Sequence, residues 1–578
     1  MVFEVIKDKF YLDGKEIKII SGAVHYFRNM PSRWDDIFKK MKALGCNCVE
    51  TYVAWNMHEK EEGKFSFDGI LDIVKFIKMA QKHGLLVIVR PGPYICAEWE
   101  FGGLPWWLLR YEDLEIRCSN ERYTFFYKRY LNRLFTEIKP LLSTNGGPII
   151  MMQCENEYGY YGDDKVYLQT LRDFYVEQGI NVPLFTSDGV CKDNLLDGSI
   201  DGCFSTLNFG SNVAGAFSAH DELYPSQPKM CMELWDGWFD AWGDKQHHTR
   251  DALDYAKTVD DMLNRGSVNM FLFIGGTSFG FMSGANHTNK FMPQVSSYDF
   301  DALLSEAGDI TEKYLEVRKV IQKHTNKELP KIPPNSKKKG YGIVRLNEYA
   351  SIFDALPLLS TPVKTEVPMP MEHYNQGYGY IAYQTSFNRD YTNSTLSFES
   401  LGDRAQIYIN KQFIGTLYIN DESLSIKFSA KKGDVLTILC ENMGHANFGE
   451  KMMRKKGIVG KCIIDEKVHF HWTAYPLPMD NLDKIKYSSK QPSENSCFYK
   501  GMFMVDEVAD TFVKLDNFKK GFVTINGFNI GRYWEIGPQD RLYIPMSLLK
   551  QGENEIIVFE TDGTKGEAVV EFVASSKN

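Results

Sequence analysis

Eight short runs of apolar residues, most of them followed by an amphipathic stretch, occupy the chain up to about residue 325. A continuous apolar run is typical of a strand buried on both faces, as in a parallel sheet. The predicted strands are 17–24, 46–54, 85–90, 148–154, 183–186, 202–207, 230–234 and 268–274. Helical periodicity predicts helices at 33–44, 70–83, 123–142, 165–178 and 249–265. Strands that alternate with helices in this number indicate an α/β fold, a (β/α)8 TIM barrel.

A doubly wound open sheet is the alternative reading of the same pattern. It is disfavoured because no glycine-rich phosphate loop follows any of the early strands.

The hydrophobic period changes in the second half of the chain. The Lys/Pro-rich tract 327–339 is typical of a linker. Beyond it, short alternating runs bounded by Gly, Asn and Asp predict all-β structure, and a similar hairpin pattern occurs at 407–412 and 523–528. We predict a catalytic barrel (1–326), a linker with an ancillary β segment (327–369) and two β-sandwiches (370–482 and 483–578), of jelly-roll or galactose-binding-like type.

Polar residues gather where the predicted barrel strands end. Strand four runs into Glu155, Asn156 and Glu157, and strand seven ends at Glu233. The catalytic groups of α/β barrels lie at the carboxyl ends of the strands. Strands four and seven lie on opposite sides of a barrel mouth, so we expect Glu157 and Glu233 to face each other across it.

Composition narrows the range of partners. The net charge of −9 argues against nucleic acid or an anionic membrane, and no apolar run approaches the ~20 residues of a membrane span. Aromatic residues make up 14%, which suits stacking on sugars as well as an aromatic core. Eleven cysteines, most of them in predicted buried strands, and no apparent secretory leader predict a reduced, cytoplasmic protein.

Two opposed carboxyl groups are the requirement of glycoside hydrolysis. One group protonates the leaving oxygen, and in a retaining enzyme the other attacks the anomeric carbon. The two carboxyl groups of a retaining enzyme are roughly 5–5.5 Å apart. Asn156 could bind the 2-hydroxyl of the sugar, a contact that strengthens in the transition state. Glu155, which directly precedes Asn156 and Glu157 in the sequence, is expected to be structural.

The chain resembles glycoside hydrolase family 35, the β-galactosidases, over nearly its whole length. The stretches that carry the resemblance include Ser21-Gly22-Ala23-Val24-His25-Tyr26, Ile95-Cys96-Ala97-Glu98-Trp99-Glu100, Gln153-Cys154-Glu155-Asn156-Glu157, Met232-Glu233, Gly275-Gly276-Thr277, Ser297-Tyr298-Asp299 and Glu441-Asn442-Met443-Gly444. The resemblance implies that Glu157 is the acid/base and Glu233 the nucleophile. It also implies a galactose pocket lined by Tyr52, Cys96, Ala97, Glu98 and Asn156, in a barrel followed by β-sandwich domains.

Two departures from the family concern the pocket. Phe271 and Phe300 stand where the family often has tyrosine, so we expect Tyr298 or water to compensate, or a different sugar to be accepted. Trp235 and Trp238 resemble the form found in bacterial intracellular members, and Trp235 could act as a stacking wall that favours β-1,3-linked disaccharides.

We therefore expect a retaining exo-β-galactosidase that acts on small oligosaccharides without a metal or other cofactor. An exo-β-glucosaminidase of the same fold is the alternative enzyme. A carbohydrate-binding protein with an inert barrel is the alternative from another class, and both filled glutamate positions argue against it. The sequence leaves a homodimer open.

Overall fold

The computed structural model describes residues 1–325 and 328–575. Its first half is a closed barrel of eight parallel strands, β1 to β8, in which each strand pairs with its sequence neighbours and β8 returns to β1. In order, the strands are Ile20–Val24, Cys48–Tyr52, Leu86–Arg90, Ile149–Gln153, Leu184–Asp188, Phe204–Phe209, Met230–Trp235 and Ser267–Ile274. The predicted α/β fold class is confirmed.

Helices surround the barrel and begin at side-chain caps that the sequence supplies. Asp72, Asn120, Asp164 and Asp251 each accept a hydrogen bond from a backbone N–H in the first turn of the helix that follows. The longer α-helices of the barrel are Trp34–Leu44, Ile73–Lys82, Glu121–Ile138, Lys165–Glu177, Lys192–Gly198, Ala252–Arg265 and Glu312–Thr325.

The amino-terminal end of the barrel is closed by a three-stranded sheet of Phe3–Ile6, Lys9–Leu12 and Lys15–Ile17. Phe3 and Phe10 pack there on the apolar barrel interior, with the Phe10 ring 5.6 Å from that of Phe204. The barrel is thereby plugged at this end, so a ligand must enter from the other.

Two all-β units follow. The first packs a six-stranded sheet, in the order Val363–Thr365, Trp472–Leu477, Tyr380–Ser386, Val435–Glu441, Arg404–Ile409 and Gln412–Tyr418, on a sheet of Ser425–Ala430, Tyr391–Gly402, Gly457–Ile464 and Lys467–Val468. The second packs Glu348–Ser351, Cys497–Val505, Gly552–Glu560, Lys520–Ile525 and Phe528–Trp534 on Gly342–Arg345, Val569–Val573, Thr511–Lys514 and Arg541–Ile544.

The segment predicted as a linker with an ancillary β segment is divided between these units. Its strands Gly342–Arg345 and Glu348–Ser351 join the second sandwich, whereas Val363–Thr365 joins the first. The helix Ile352–Leu359 lies between them and packs in an apolar cluster shared by both sandwiches. The boundary predicted at residues 326 and 327 lies outside the described residues.

Candidate active site

A pocket of about 190 Å³ opens at the carboxyl end of the barrel. It collects residues from the carboxyl-terminal halves of barrel strands and the loops after them, five strands in all, and one residue of the first sandwich. Its lining comprises Tyr52, Cys96, Ala97, Glu98, Asn156, Glu157, Tyr160, Glu233, Trp235, Trp238, Phe239, Phe271, Asn286, Phe300 and Phe448.

Glu233 lies near the end of β7 and is held by three donors. Its Oε1 accepts a hydrogen bond from the Tyr52 hydroxyl at 2.6 Å and pairs with the Arg90 guanidinium at 2.7 Å. Its Oε2 accepts from the Trp235 indole N–H at 3.2 Å. The guanidinium and the two neutral donors orient the Glu233 side chain, and a carboxylate is the group that acts as nucleophile in such a site.

Glu157 follows β4 in a left-handed backbone conformation, with φ of 47°. Its Oε1 accepts a hydrogen bond at 3.0 Å from Asn208 at the end of β6. Burial, and then the negative charge of Glu233, raise the pKa of Glu157 to about 8. Near neutral pH this group is therefore protonated and can act as a general acid.

The two carboxyl groups thus have different environments in one pocket. The guanidinium lies directly beside Glu233, while Glu157 receives a neutral amide donor. Two acids whose environments separate their protonation states can divide the acid and nucleophile roles between them.

Asn156 is oriented by its side-chain oxygen. The Oδ1 atom accepts hydrogen bonds from Tyr52 at 2.9 Å, Arg90 at 2.7 Å and Gln153 at 3.0 Å. Because the oxygen is occupied by these donors, the amide NH2 is the group left to donate into the pocket. Glu155 points elsewhere and forms a buried bidentate pair with Arg117 at 3.0 and 2.9 Å.

Cys96, Ala97 and Glu98 form a turn of three consecutive left-handed residues, with φ of 55°, 57° and 47°. All three line the pocket. Burial raises the pKa of Glu98 to about 7, although the hydrogen bond from Tyr298 opposes the shift. Such a run of non-glycine residues is strained and persists only where surrounding contacts hold it.

Tyr298 does not belong to the pocket lining among the described residues. Its hydroxyl instead donates to Glu98 at 2.5 Å, and its ring lies under the Arg28 guanidinium at 3.8 Å. We expected Tyr298 to contact the sugar, and the structure places it behind Glu98 as a support. Tyr298 lies in the loop after β8 and not at the end of a strand, so the strand pattern did not reveal its hydrogen bond to Glu98.

Aromatic rings form the rim of the pocket. The Trp235 and Trp238 rings meet edge to face with centroids 5.3 Å apart, and Phe271 and Phe300 meet in the same way at 5.7 Å. Trp238 is 41% exposed, which is high for so large an apolar side chain. An exposed ring beside a polar pocket is suited to stack on a second sugar unit.

Several residues of the site were not assigned to it by sequence reasoning, among them the lining residues Tyr160, Phe239 and Asn286. Arg90, at the end of β3, contacts Glu233, and Asn208 contacts Glu157. Both are polar residues at the carboxyl ends of barrel strands, which is a signal that could have found them. Phe448 comes from the strand Ala446–Phe448 of the first sandwich, which pairs with Ala285–His287 of the barrel.

One set of metal-type ligands, Asp240, Asp244 and His248, has ligand atoms within 4.8 Å of one another among the described residues. The set lies outside the pocket lining, and the Asp240 carboxylate already bonds His247 at 2.6 Å and His248 at 2.8 Å. In the described ranges, no helix has both the length and the apolarity to cross a membrane.

Three protein-family models match this chain. The family model "Glycosyl hydrolases family 35" matches residues 9–324. The models "Beta-galactosidase, first all-beta domain" and "Beta-galactosidase, galactose-binding domain" match residues 368–478 and 496–554.

Similar proteins match along almost their whole length. The beta-galactosidase of Xanthomonas manihotis is 39% identical over 93% of this chain and 90% of its own. That of Bos taurus is 39% identical over 98% and 92%, and beta-galactosidase-1-like protein 3 of Mus musculus is 39% identical over 96% and 86%. With its eight-stranded barrel, its two all-β units and this extent of similarity, the chain belongs to glycosyl hydrolases family 35 and is a glycoside hydrolase.

Proposed function

We propose that the protein is a retaining exo-β-galactosidase that removes terminal non-reducing β-D-galactose from oligosaccharides by double displacement. The observation that carries the proposal is that Glu157 and Glu233 line one pocket with different neighbours, a neutral amide donor at Glu157 and the Arg90 guanidinium at Glu233. The names of the similar proteins support galactose as the sugar.

In the first step, protonated Glu157 gives its proton to the glycosidic oxygen while the Glu233 carboxylate attacks the anomeric carbon. The bond to the leaving sugar breaks with its electron pair, and an ester forms between Glu233 and galactose. In the second step, Glu157, now a carboxylate, takes a proton from water, and the resulting hydroxide displaces Glu233. Two inversions leave the configuration retained.

The assignment of roles has a direct test. Glu233→Gln should lower kcat by at least ~10³-fold, because it removes the nucleophile. Azide should rescue Glu233→Gly with inverted product and Glu157→Gly with retained product. Exposed Glu399 on the first sandwich supplies the control, since Glu399→Gln should keep the native rate. Near-native turnover by Glu233→Gln would refute the role given to Glu233.

The identity of the sugar is tested by measuring kcat/KM for nitrophenyl β-galactoside, β-glucoside and β-glucosaminide. An exo-β-glucosaminidase is the second candidate, because Phe271 and Phe300 bring no hydroxyl to the pocket they line. We expect the highest kcat/KM for the galactoside, and a preference for the glucosaminide would establish the second candidate instead.

The aglycone preference rests on Trp235, which with Trp238 forms one wall of the pocket. We propose that this wall favours β-1,3-linked disaccharides. Trp235→Ala should therefore reduce the ratio of kcat/KM for the β-1,3- and β-1,4-linked galactosyl disaccharides. The ratio is informative because loss of the Trp235 hydrogen bond to Glu233 affects both substrates alike. An unchanged ratio would refute the proposal that Trp235 favours β-1,3-linked disaccharides.

We further propose a reducing compartment, the cytoplasm. All eleven cysteines are free, and Cys154 and Cys203 lie side by side as thiols. Alkylation of the freshly isolated protein under denaturing conditions, without a reductant, should modify eleven cysteines by mass spectrometry, whereas nine or fewer would contradict the proposal.

A further inference from the structure

A buried histidine joins the barrel to the first sandwich. His445 Nδ1 contacts Glu100 Oε1 and Nε2 contacts Glu372 Oε1 at 3.0 Å, and the three side chains are at most 2% exposed. Glu100 lies in the loop after β3, and Glu372 lies in the 3-10 helix Met371–Tyr374. A neutral imidazole has one N–H, so only the imidazolium can donate to both carboxylates.

The charges around His445 are balanced only when it is a cation. Two further cations face the cluster, Lys456, which pairs with Asp403 at 2.7 Å, and Arg532, which donates to the Asn442 carbonyl at 3.0 Å. Glu100, Glu372 and Asp403 oppose these two cations and His445. Burial and the charge of Lys456 act against the imidazolium, but the two carboxylates outweigh them and raise the pKa of His445 above its ordinary value.

The same contacts hold the strained turn at residues 96–98. The backbone N–H of His445 donates to Glu100 Oε2 at 2.8 Å, and the Phe101 N–H donates to the His445 carbonyl at 3.4 Å. Next to His445, the Asn447 carbonyl accepts from the Tyr94 hydroxyl at 2.5 Å. These bonds fix the chain on both sides of the turn, whose residues persist in this strained conformation only where surrounding contacts hold them.

We propose that His445 is a positioning residue: as an imidazolium between Glu100 and Glu372, it holds the turn at 96–98, and with it Glu98, in the geometry that binds the sugar. The inference rests on the proposed function in one respect, because it takes Glu98 as a ligand of the terminal sugar. His445 itself lies outside the pocket lining, so its effect passes through the turn.

His445→Gln tests the proposal, because glutamine retains hydrogen bonding and removes the positive charge. We expect KM for nitrophenyl β-galactoside to rise at least tenfold while kcat changes less than threefold, the pattern of lost ground-state binding. Hydrogen exchange of the backbone amides at residues 94–104 should also become faster than in the native protein.

The matched control is Asp510→Asn, which breaks the buried pair of Arg33 and Asp510 between the barrel and the second sandwich. It should lower the Tm without changing KM or exchange at 94–104. If His445→Gln behaves in the same way, with KM within twofold of native, the positioning role is refuted.

Two further measurements keep the result interpretable. Should His445→Gln fail to fold, Glu372→Gln removes one arm of the bridge and is expected to change KM and exchange in the same direction, and its failure to do so refutes the proposal. Absence of turnover by the native protein on all three nitrophenyl glycosides would refute the proposed function, whereas the exchange data would still decide whether His445 holds the turn.

Discussion

Tyr52 has one hydroxyl proton and two acceptors. Glu233 Oε1 lies at 2.6 Å and Asn156 Oδ1 at 2.9 Å. The ionised carboxylate is the stronger acceptor, so the proton favours Glu233 in the free enzyme. When Glu233 becomes an ester in the proposed mechanism it loses its charge, and the Tyr52 hydroxyl can then donate its hydrogen bond to Asn156 Oδ1 instead. Tyr52 would in this way stabilise both the nucleophile before attack and the carboxylate that departs afterwards.

Asn208 offers a prediction at the residue scale. Its amide donates to Glu157, which favours the ionised carboxylate and lowers the pKa of Glu157 from a still higher value. Asn208→Leu removes the donor, so the pKa should rise above about 8. Since Glu157 must be protonated for the first step, the basic limb of the pH profile of kcat/KM should move to higher pH, by about 0.5–1 pH unit.

Ser187 provides a graded comparison, because its hydroxyl donates to Asn208 Oδ1 at 2.6 Å and only orients the amide. Ser187→Ala should move the basic limb in the same direction by a smaller amount. A limb that stays in place or moves to lower pH in Asn208→Leu would show that Glu157 is not the group that sets it.

At the scale of elements, the end of β8 depends on a close approach of two backbones. A Cβ placed on Gly275 would lie 1.5 Å from the Tyr298 carbonyl oxygen. Glycine at 275 lets the loop after β8 fold back on the strand end, and the Tyr298 N–H bonds the Gly276 carbonyl at 2.9 Å. The hydroxyl of Tyr298 thereby reaches Glu98.

Gly275→Ala should consequently reduce both stability and activity. Forcing a methyl group into this contact should cost about 1–3 kcal/mol in unfolding free energy and displace Tyr298, so that kcat/KM falls as well. Thermal unfolding and steady-state kinetics measure the two effects. Gly566→Ala is the control, because nothing lies within 4 Å of its added Cβ; equal effects from the two variants would contradict the argument.

The extent of each strand shows where sequence reasoning succeeds. Buried parallel strands are nearly continuous apolar runs, so all eight could be located. Strands five and six were predicted to end at 186 and 207, and they continue to Asp188 and Phe209. Ser187 and Asp188 in strand five and Asn208 in strand six are polar, which interrupts the apolar run while the backbone pairing continues. Because the apolar run ends before the strand does, Asn208 was missed.

Contacts between distant parts of the chain lie beyond such patterns. The glutamates could be proposed from their place after strands and from the family resemblance. Phe448 and His445, however, reach the barrel only because a strand of the first sandwich pairs with the barrel segment Ala285–His287. That pairing depends on how the barrel and the first sandwich pack together, which neither periodicity nor turn signals encode.

At the scale of the whole molecule, a buried ion network joins the two sandwiches. Glu441 of the first sandwich pairs with Lys520 of the second at 2.7 Å and with Arg404 of its own sandwich at 3.3 Å. Arg404 also pairs with Asp562 at 2.5 Å. Burial acts against the charge of Glu441, but the two cations outweigh it and lower the pKa of Glu441 in the folded protein.

Glu441→Gln should therefore destabilise the pair of sandwiches by about 3–5 kcal/mol, because it leaves Lys520 buried without its partner charge. The native contribution also depends on pH. Since the folded pKa lies below the unfolded one, the stabilisation is present above the unfolded value of about 4.3 and disappears as the pH falls through the folded value. Calorimetric scans from pH 7 down to pH 3 should show a steeper loss of Tm in the native protein than in Glu441→Gln.

Glu399→Gln is the matched control, since Glu399 faces Lys461 at 4.0 Å with both side chains about half exposed. An exposed pair of this kind contributes at most about 1 kcal/mol, so the control should leave the Tm and its pH dependence almost unchanged. If Glu441→Gln behaves like the control, the sandwiches are joined by their shared apolar cluster alone. A large effect would show that the charge of Glu441 is what neutralises two buried cations at this interface. It would also show that the first sandwich, which carries His445 to the barrel and Phe448 to the pocket, depends on the second for its stability.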